Sequence, residues 1–349
     1  MRKISLLLTV ATVLNLITLK TAEAALLVAG RGSKSVLSYD EQTGEFNGSF
    51  IPPGSGGLSS PSSLAFGSDG RLYVSDYNSS SVLRYDSLTG NFIDTFIPSG
   101  SGGLKSPESI AFGSDGNLYI GGLDGNGIKR YNGKTGEFID DVISSDPATK
   151  NQLNTASFAF GSNNELFAGS VFPTGGIIRH DTLAGNASTF IPSSDSPVIP
   201  GGLAIGPDGN LYAGDFSPDA TSIRRYNIDT GKFIDTFVAP GSGGLKQSSR
   251  LLFQPEGDKL YLYITSFGNN SVLRYDGRTG QFIDTFVSSG SGGLKDPIGL
   301  AFTPRSSAVS VPEPTSYLSI LGVGVYLSAN LIRLQQKKTV IKIGTKADL

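Results

Sequence analysis

Of two side chains on which much acid–base, nucleophilic and metal chemistry rests, cysteine is absent from this chain and histidine is single, and that narrows the possibilities. There is no cysteine, which removes thiolate nucleophiles, thiolate metal sites and disulfides. His180 is the only histidine, and so the only side chain whose ordinary pKa suits a general base near neutrality. It stands in Arg179-His180-Asp181, where kindred segments read Arg84-Tyr85-Asp86 and Arg274-Tyr275-Asp276, so it reads as an aromatic in a structural slot. Glu108 lies beside the start of a strand whose counterparts carry Ser62, Gly201 and Ile298, which sets a lone carboxylate at the rim of any channel the units enclose. A solvated rim carboxylate is the plainer reading, because a hard cation needs six or more oxygen ligands and no matching Asp or Asn accompanies it. Arg250, just before another strand start, offers an anion contact or a simple surface cation. No phosphate-cradling glycine loop, GxSxG elbow or HExxH sequence occurs. The expectation is no catalytic residue, no metal site and no cofactor.

A second set of residues is suited to contact rather than to reaction. Tyr77, Leu123, Phe172, Phe216 and Phe267 fall at similar places in successive units, with Arg31 in the first. The segments leading into the next unit, Gly54 to Leu58, Gly100 to Leu104, Gly241 to Leu245 and Gly290 to Leu294, are rich in Gly and Ser. Large apolar side chains among small polar ones could stack on sugar rings or anchor a partner. The plainer alternative folds each one down onto the adjoining unit.

What must position these residues is a repeat. Arg84-Tyr85-Asp86, Leu88-Thr89-Gly90 and Phe92-Ile93-Asp94-Thr95-Phe96 return as Arg274-Tyr275-Asp276, Thr279-Gly280 and Phe282 to Phe286. Diverged copies centre on Tyr39, Tyr131, His180 and Tyr226, giving spacings of 46, 46, 49, 46 and 49 residues, the length of a propeller blade. Each unit divides into four short apolar-alternating runs: Leu64 to Phe66, Leu72 to Val74, Val82 to Tyr85 and Phe92 to Ile97. Asp69-Gly70, Asp115-Gly116 and Asp208-Gly209 read as two-residue hairpin turns, both residues at positive φ. Four antiparallel strands repeated radially make a propeller.

Closure is an internal check. Leu300-Ala301-Phe302 has no second strand after it, and Leu27-Val28-Ala29 has no first strand before it. Pairing a C-terminal strand at about 299–303 with the N-terminal strands of 26–51 completes a sixth blade and removes an exposed edge. The fold class is therefore all-β, a six-bladed propeller of four-stranded antiparallel blades spanning 25–304.

The repeat resembles NHL-type six-bladed propellers through Pro61 to Ala65 and Pro107 to Ala111, and through Asp69 to Val74 and Asp115 to Ile120, over residues 26–303. That resemblance implies the fold more firmly than an activity, since one fold hosts many functions. Six-bladed lactonases and streptogramin-lyase-like enzymes share the architecture but need metal ligands or a channel histidine, and neither appears here as a recognisable set.

The two ends read as addresses. Arg2 and Lys3, an apolar run from Ile4 to Leu19, and Ala22-Glu23-Ala24 make a secretory signal peptide over 1–24, cleaved after Ala24. After a linker at 305–310, the segment 311–338 holds Pro312-Glu313-Pro314, an uncharged stretch at 315–332, and Arg333, Lys337 and Lys338. Eighteen residues at about 1.5 Å each cover roughly 27 Å, enough for one transmembrane helix. The basic residues hold its C-terminus, with the tail 339–349, in the cytoplasm. This tail resembles the PEP-CTERM sorting signal, which implies recognition by an exosortase-type enzyme and passage to the cell envelope, cell surface or exterior after transient membrane anchoring. A plain stop-transfer anchor is the simpler alternative, since eleven residues follow Lys338 and the cations are scattered.

Charge supports this division. Residues 26–310 carry 20 Lys+Arg against 27 Asp+Glu, a net of −7, so the body repels phosphate backbones and nucleic acid is not an expected partner. The expected role is a non-enzymatic binding or scaffold protein of the envelope or an extracellular polysaccharide matrix, with partners drawn from polysaccharide or an envelope protein. The alternatives are a hydrolase or lyase acting at the axial channel, and a purely structural spacer.

Overall fold

In a computed structural model, the structure describes residues 24–125, 127–144, 153–162, 165–171, 175–196, 199–218 and 221–304. The alternating runs become strands in chain order. Blade 1 uses β1 (Ala25–Gly30), β2 (Ser35–Asp40) and β3 (Phe46–Ile51). Blade 2 uses β4 (Pro61–Phe66), β5 (Leu72–Asp76), β6 (Ser81–Tyr85) and β7 (Phe92–Ile97). Blade 3 holds β8 (Pro107–Phe112), β9 (Leu118–Gly122), β10 (Gly127–Tyr131) and β11 (Phe138–Ile143). Blade 4 holds β12 (Thr155–Phe160), β13 (Glu165–Ser170), β14 (Ile177–Asp181) and β15 (Asn186–Ile191). Blade 5 holds β16 (Pro200–Ile205), β17 (Leu211–Asp215), β18 (Ile223–Tyr226) and β19 (Phe233–Val238). Blade 6 holds β20 (Ser248–Glu256), β21 (Lys259–Ser266), β22 (Ser271–Asp276) and β23 (Phe282–Val287). The last strand, β24 (Pro297–Phe302), returns to blade 1 and pairs antiparallel with β1, Val28 opposite Leu300. Six four-stranded sheets result, and the closure expected from the sequence is observed.

Period-2 patterning places the core between blades. In β5 the side chains of Leu72 and Val74 pack toward blade 1, against Leu27, Ala29 and Ile51. Tyr73, on the opposite face of the same strand, packs toward blade 3 with Ile110, Leu118 and Tyr131. Six such clusters fill the six spaces between neighbouring blades. A fully buried side chain of this size contributes about 1.5–3 kcal/mol, so the ring holds together through inter-blade packing.

In every blade but the fourth, the repeated tyrosine joins the blade to the loop preceding it. The hydroxyls of Tyr39, Tyr85, Tyr131 and Tyr275 donate to the carbonyls of Ser291, Ser55, Ser101 and Ser242 at 2.7–2.8 Å. Those acceptors sit in Gly-Ser-Gly-Gly turns, where Gly56 has φ +62 and a Cβ would lie 2.0 Å from the Phe92 ring. In blade 4 the corresponding residue is His180, buried, with burial pushing its pKa down and Nδ1 without a partner among the described residues. It sits within the blade and does not line the axial pocket described below.

The Asp-Gly turns depart from expectation. Only Gly70 adopts positive φ (+73), and the connection spans Gly67 to Arg71, with Gly70 N–H donating to the Gly67 carbonyl. Asp69 instead accepts from Arg71 N–H at 3.1 Å and from the Tyr73 hydroxyl at 3.0 Å, so its carboxylate shapes the turn from outside the left-handed position. Among the described residues no helix is long and apolar enough to cross a membrane. The signal-peptide residues 1–23, the transmembrane stretch 315–332 and the sorting residues Pro312, Glu313, Pro314, Arg333, Lys337 and Lys338 lie outside the described residues.

Candidate functional site

The innermost strands β4, β8, β12, β16, β20 and β24 pack on one another in ring order around the axis. Their register fixes which loops share an end of that axis. Pro61 pairs with Asp76, Pro107 with Gly122, Pro200 with Asp215 and Pro297 with Gly30. The first residues of the inner strands therefore lie beside the loops that follow each second strand.

At this end lies a pocket of about 340 Å³. Its walls come from the second residue of five inner strands: Glu108, Ala156, Gly201, Ser249 and Ile298. The loops above add Arg31, Leu123, Val171, Phe216 and Pro218, and the approaches to β16 and β20 add Ile199 and Gln247. Arg250, the third residue of β20, completes the lining. Two groups of residues that look separate in the sequence, the loop ring and the channel rim, thus meet in one cavity.

The charged residues are organised. Arg31 Nη2 donates to Glu108 Oε2 at 2.6 Å, and the Arg31 guanidinium stacks over Tyr77 at 4.5 Å from the ring centroid. Glu108 is 6% exposed, which corrects the picture of a solvated rim carboxylate. Burial raises its pKa, opposed by the charge and hydrogen bond of Arg31 and by the charge of Arg250. Arg250 lies inside β20 rather than before it, because that strand begins at Ser248. Its backbone N–H donates to Thr265 Oγ1 at 2.8 Å, and its Nη2 reaches two blades round the ring to the Ser63 hydroxyl. The surface it retains faces the pocket, and the enclosing protein lowers its pKa to about 10.

The apolar ring is half-buried rather than fully displayed. Phe216 packs edge-on against Phe267 with ring centroids 5.1 Å apart, so Phe267 supports Phe216 while Phe216 faces the pocket. Gly201 makes this possible, since a Cβ there would lie 2.7 Å from Phe216 Cβ and 2.5 Å from the Ser248 carbonyl. Leu123 and Arg31 reach the cavity, Tyr77 supports Arg31, and Phe172 lies outside the described residues. Sequence reasoning missed Ala156, Val171, Ile199, Pro218, Gln247 and Ser249. A column drawn through the second residue of each inner strand, reading Ser62, Glu108, Ala156, Gly201, Ser249 and Ile298, is the signal that locates this level of the channel.

Among the described residues no three His, Asp or Glu side chains converge, and Glu108 is the one carboxylate lining the pocket. What the arrangement offers is a small, mostly apolar cavity with two guanidinium groups and one buried carboxyl.

Comparisons with known proteins agree with the fold. The NHL repeat family matches residues 58–85, and the strictosidine synthase-like N-terminal family matches residues 96–129. No curated protein sequence matches the chain. Among solved structures, one titled as the nidogen/laminin complex is similar at 16% identity, covering 81% of this chain and 99% of that one, with a TM-score of 0.58. A putative gluconolactonase is similar at 13% identity, covering 70% and 85%, with a TM-score of 0.53. Virginiamycin B lyase from Staphylococcus aureus is similar at 16% identity, covering 79% and 86%, with a TM-score of 0.52. At these identities the likeness establishes a shared six-bladed architecture.

Proposed function

We propose that the chain is an exported, exosortase-sorted propeller that acts as a non-enzymatic binding or scaffold protein of the cell envelope or extracellular polysaccharide matrix, and that it binds through the axial pocket. The observation carrying this reading is the convergence of Phe216, Leu123, Arg31, Glu108 and Arg250, from four different blades, on one cavity. Pockets of about 300–1,000 Å³ with apolar walls and a few placed polar groups are the usual form of small-ligand sites. The export half of the reading is supported by the tripartite N-terminal signal and by Pro312-Glu313-Pro314 ahead of an uncharged stretch and a basic cluster.

The test is retention. Full-length protein is compared in producing cells with protein lacking residues 311–349 and with the Phe216→Ala Phe267→Ala double variant. The reading expects the truncated protein to bypass the envelope and the double variant to fold but leave shed matrix in pull-downs. Unchanged retention of the folded double variant contradicts it.

A second reading is favoured by one observation. Glu108 is a buried carboxyl of raised pKa facing a cavity, the form a general acid takes in a hydrolase or lyase. Turnover of lactone or cyclic-ester substrates that disappears in Glu108→Gln would replace binding by catalysis.

A further inference from the structure

The charges lining the pocket do not cancel. Arg31 and Glu108 pair with each other, which leaves Arg250 as an additional cation. Its position is anomalous within the repeat. The third residue of the other inner strands is Ser63, Ser109, Ser157, Gly202 or Gly299, so five blades keep this level of the channel small and one sends a guanidinium into it. A guanidinium carries five N–H donors, and the Ser63 hydroxyl is the one side-chain acceptor that meets Arg250 among the described residues. Arg31 Nε is likewise buried without an acceptor among them. The excess cation also runs against the sign of the protein, whose residues 26–310 carry a net charge of −7. Burying an arginine is costly, and Glu108, whose charge also acts on Arg250, is hydrogen-bonded to Arg31 instead.

We propose that the axial pocket binds a ligand bearing a single carboxylate on a compact, largely apolar body, with the carboxylate on Arg250 and the body against Phe216, Leu123, Val171, Ile199 and Ile298. This rests on the axial pocket being the binding site and adds the chemical class of what enters it. Guanidinium meets a carboxylate in a planar, two-point geometry that a neutral amide does not reproduce. One net positive charge matches one negative charge, and the apolar walls disfavour a dianion, whose second charge would be buried unpaired. Such a group arrives as a free acid or as the acidic end of a longer chain, and a sugar acid is the polar contrast to it.

The experiment is isothermal titration of the full chain with phenylacetate, phenylacetamide and glucuronate. Phenylacetate is expected to bind at least tenfold more tightly than either of the others. Arg250→Met is expected to lower phenylacetate affinity at least tenfold, whereas Arg250→Lys retains part of it. Glu108→Gln, which raises the pocket charge by one, is expected to tighten phenylacetate binding. If Arg250→Met does not fold, Glu108→Gln carries the test, and unchanged or weaker binding by it overturns the proposal. Equal binding of phenylacetate and phenylacetamide, tighter binding of glucuronate, or no binding of phenylacetate also overturns it. In that event, loss of matrix retention by Phe216→Ala Phe267→Ala still upholds the axial site, and unchanged retention removes both.

Discussion

The outer strands and the axial end of this propeller are built from opposite kinds of sequence. On the outer side, the same side chains recur from blade to blade. Arg84 pairs with Asp94, Arg130 with Asp140, Arg225 with Asp235 and Arg274 with Asp284, each across the third and fourth strands. Tyr39, Tyr85, Tyr131 and Tyr275 all lock onto serine carbonyls. At the axis, the second inner-strand residue is Ser62, Glu108, Ala156, Gly201, Ser249 or Ile298, different in nearly every blade. Repeated positions solve one packing problem in blade after blade, so they report the fold. Five of the positions that differ face a single shared space, and a cavity assembled from unlike side chains has the asymmetry that selective binding needs.

That contrast can be broken from either side, and the largest effect is expected in the repeated part. Tyr85→Ala removes a fully buried aromatic between blades 1 and 2 and is expected to cost about 3–5 kcal/mol in denaturant unfolding. Whatever protein remains folded should keep its axial binding. Loss of binding in that folded fraction would mean that the two regions are not separable.

Asp76 sits where the regions meet, at the end of β5, and is fully buried. Its carboxylate accepts from the backbone N–H groups of Ser59 and Ser60 at 2.6 and 2.7 Å and of Ser79 at 2.9 Å. Burial alone would raise its pKa, but these donors together bring it below the ordinary value. Asp76→Ala strands those donors and is expected to cost about 3 kcal/mol. A depressed folded pKa contributes stability that is present above the unfolded carboxylate range and lost as pH falls through the folded value. Wild-type stability should therefore decline on acidification more steeply than that of Asp76→Asn.

Glu108 sharpens the comparison because its sign is reversed. Its folded pKa is raised, so folding favours the protonated form, and its contribution is lost as pH rises from the unfolded carboxylate range through the folded value. The stability of wild type relative to Glu108→Gln should fall with rising pH there, by at most about 1.4 kcal/mol per pH unit. A flat difference would show that Glu108 is ionised as readily in the fold as outside it. The smallest effect belongs to the outer rim. Asp94 is 43% exposed, so Arg84→Ala is expected to cost about 0.5–1 kcal/mol, less in high salt, with axial binding unchanged.

The legibility of the sequence follows the same division. Strand runs such as Leu72 to Val74, and closure by Leu300-Ala301-Phe302, were readable because alternation and turn residues are local and repeated. The pocket was readable only in pieces, because its walls come from five blades and carry no motif at any one place. Arg31, Leu123 and Phe216 stood out by type and Glu108 and Arg250 by breaking the pattern, yet nothing local showed that they share a cavity. Arg250 reads as preceding its strand because the apolar run begins at Leu251, whereas β20 begins three residues earlier, at Ser248, as β4 begins at Pro61 rather than Leu64. The burial of Glu108 was hidden because its partner, Arg31, lies 77 residues away in another blade.

The central claim, that binding belongs to the axial end and not to the repeated rim, is tested most directly by hydrogen–deuterium exchange of the full chain with and without shed matrix material. Protection confined to residues 31–34, 123–125 and 216–218 and to the first residues of β8, β16, β20 and β24 is the result expected. Protection along the outer strands β3, β7, β11, β19 and β23, with the axial segments unchanged, would contradict it.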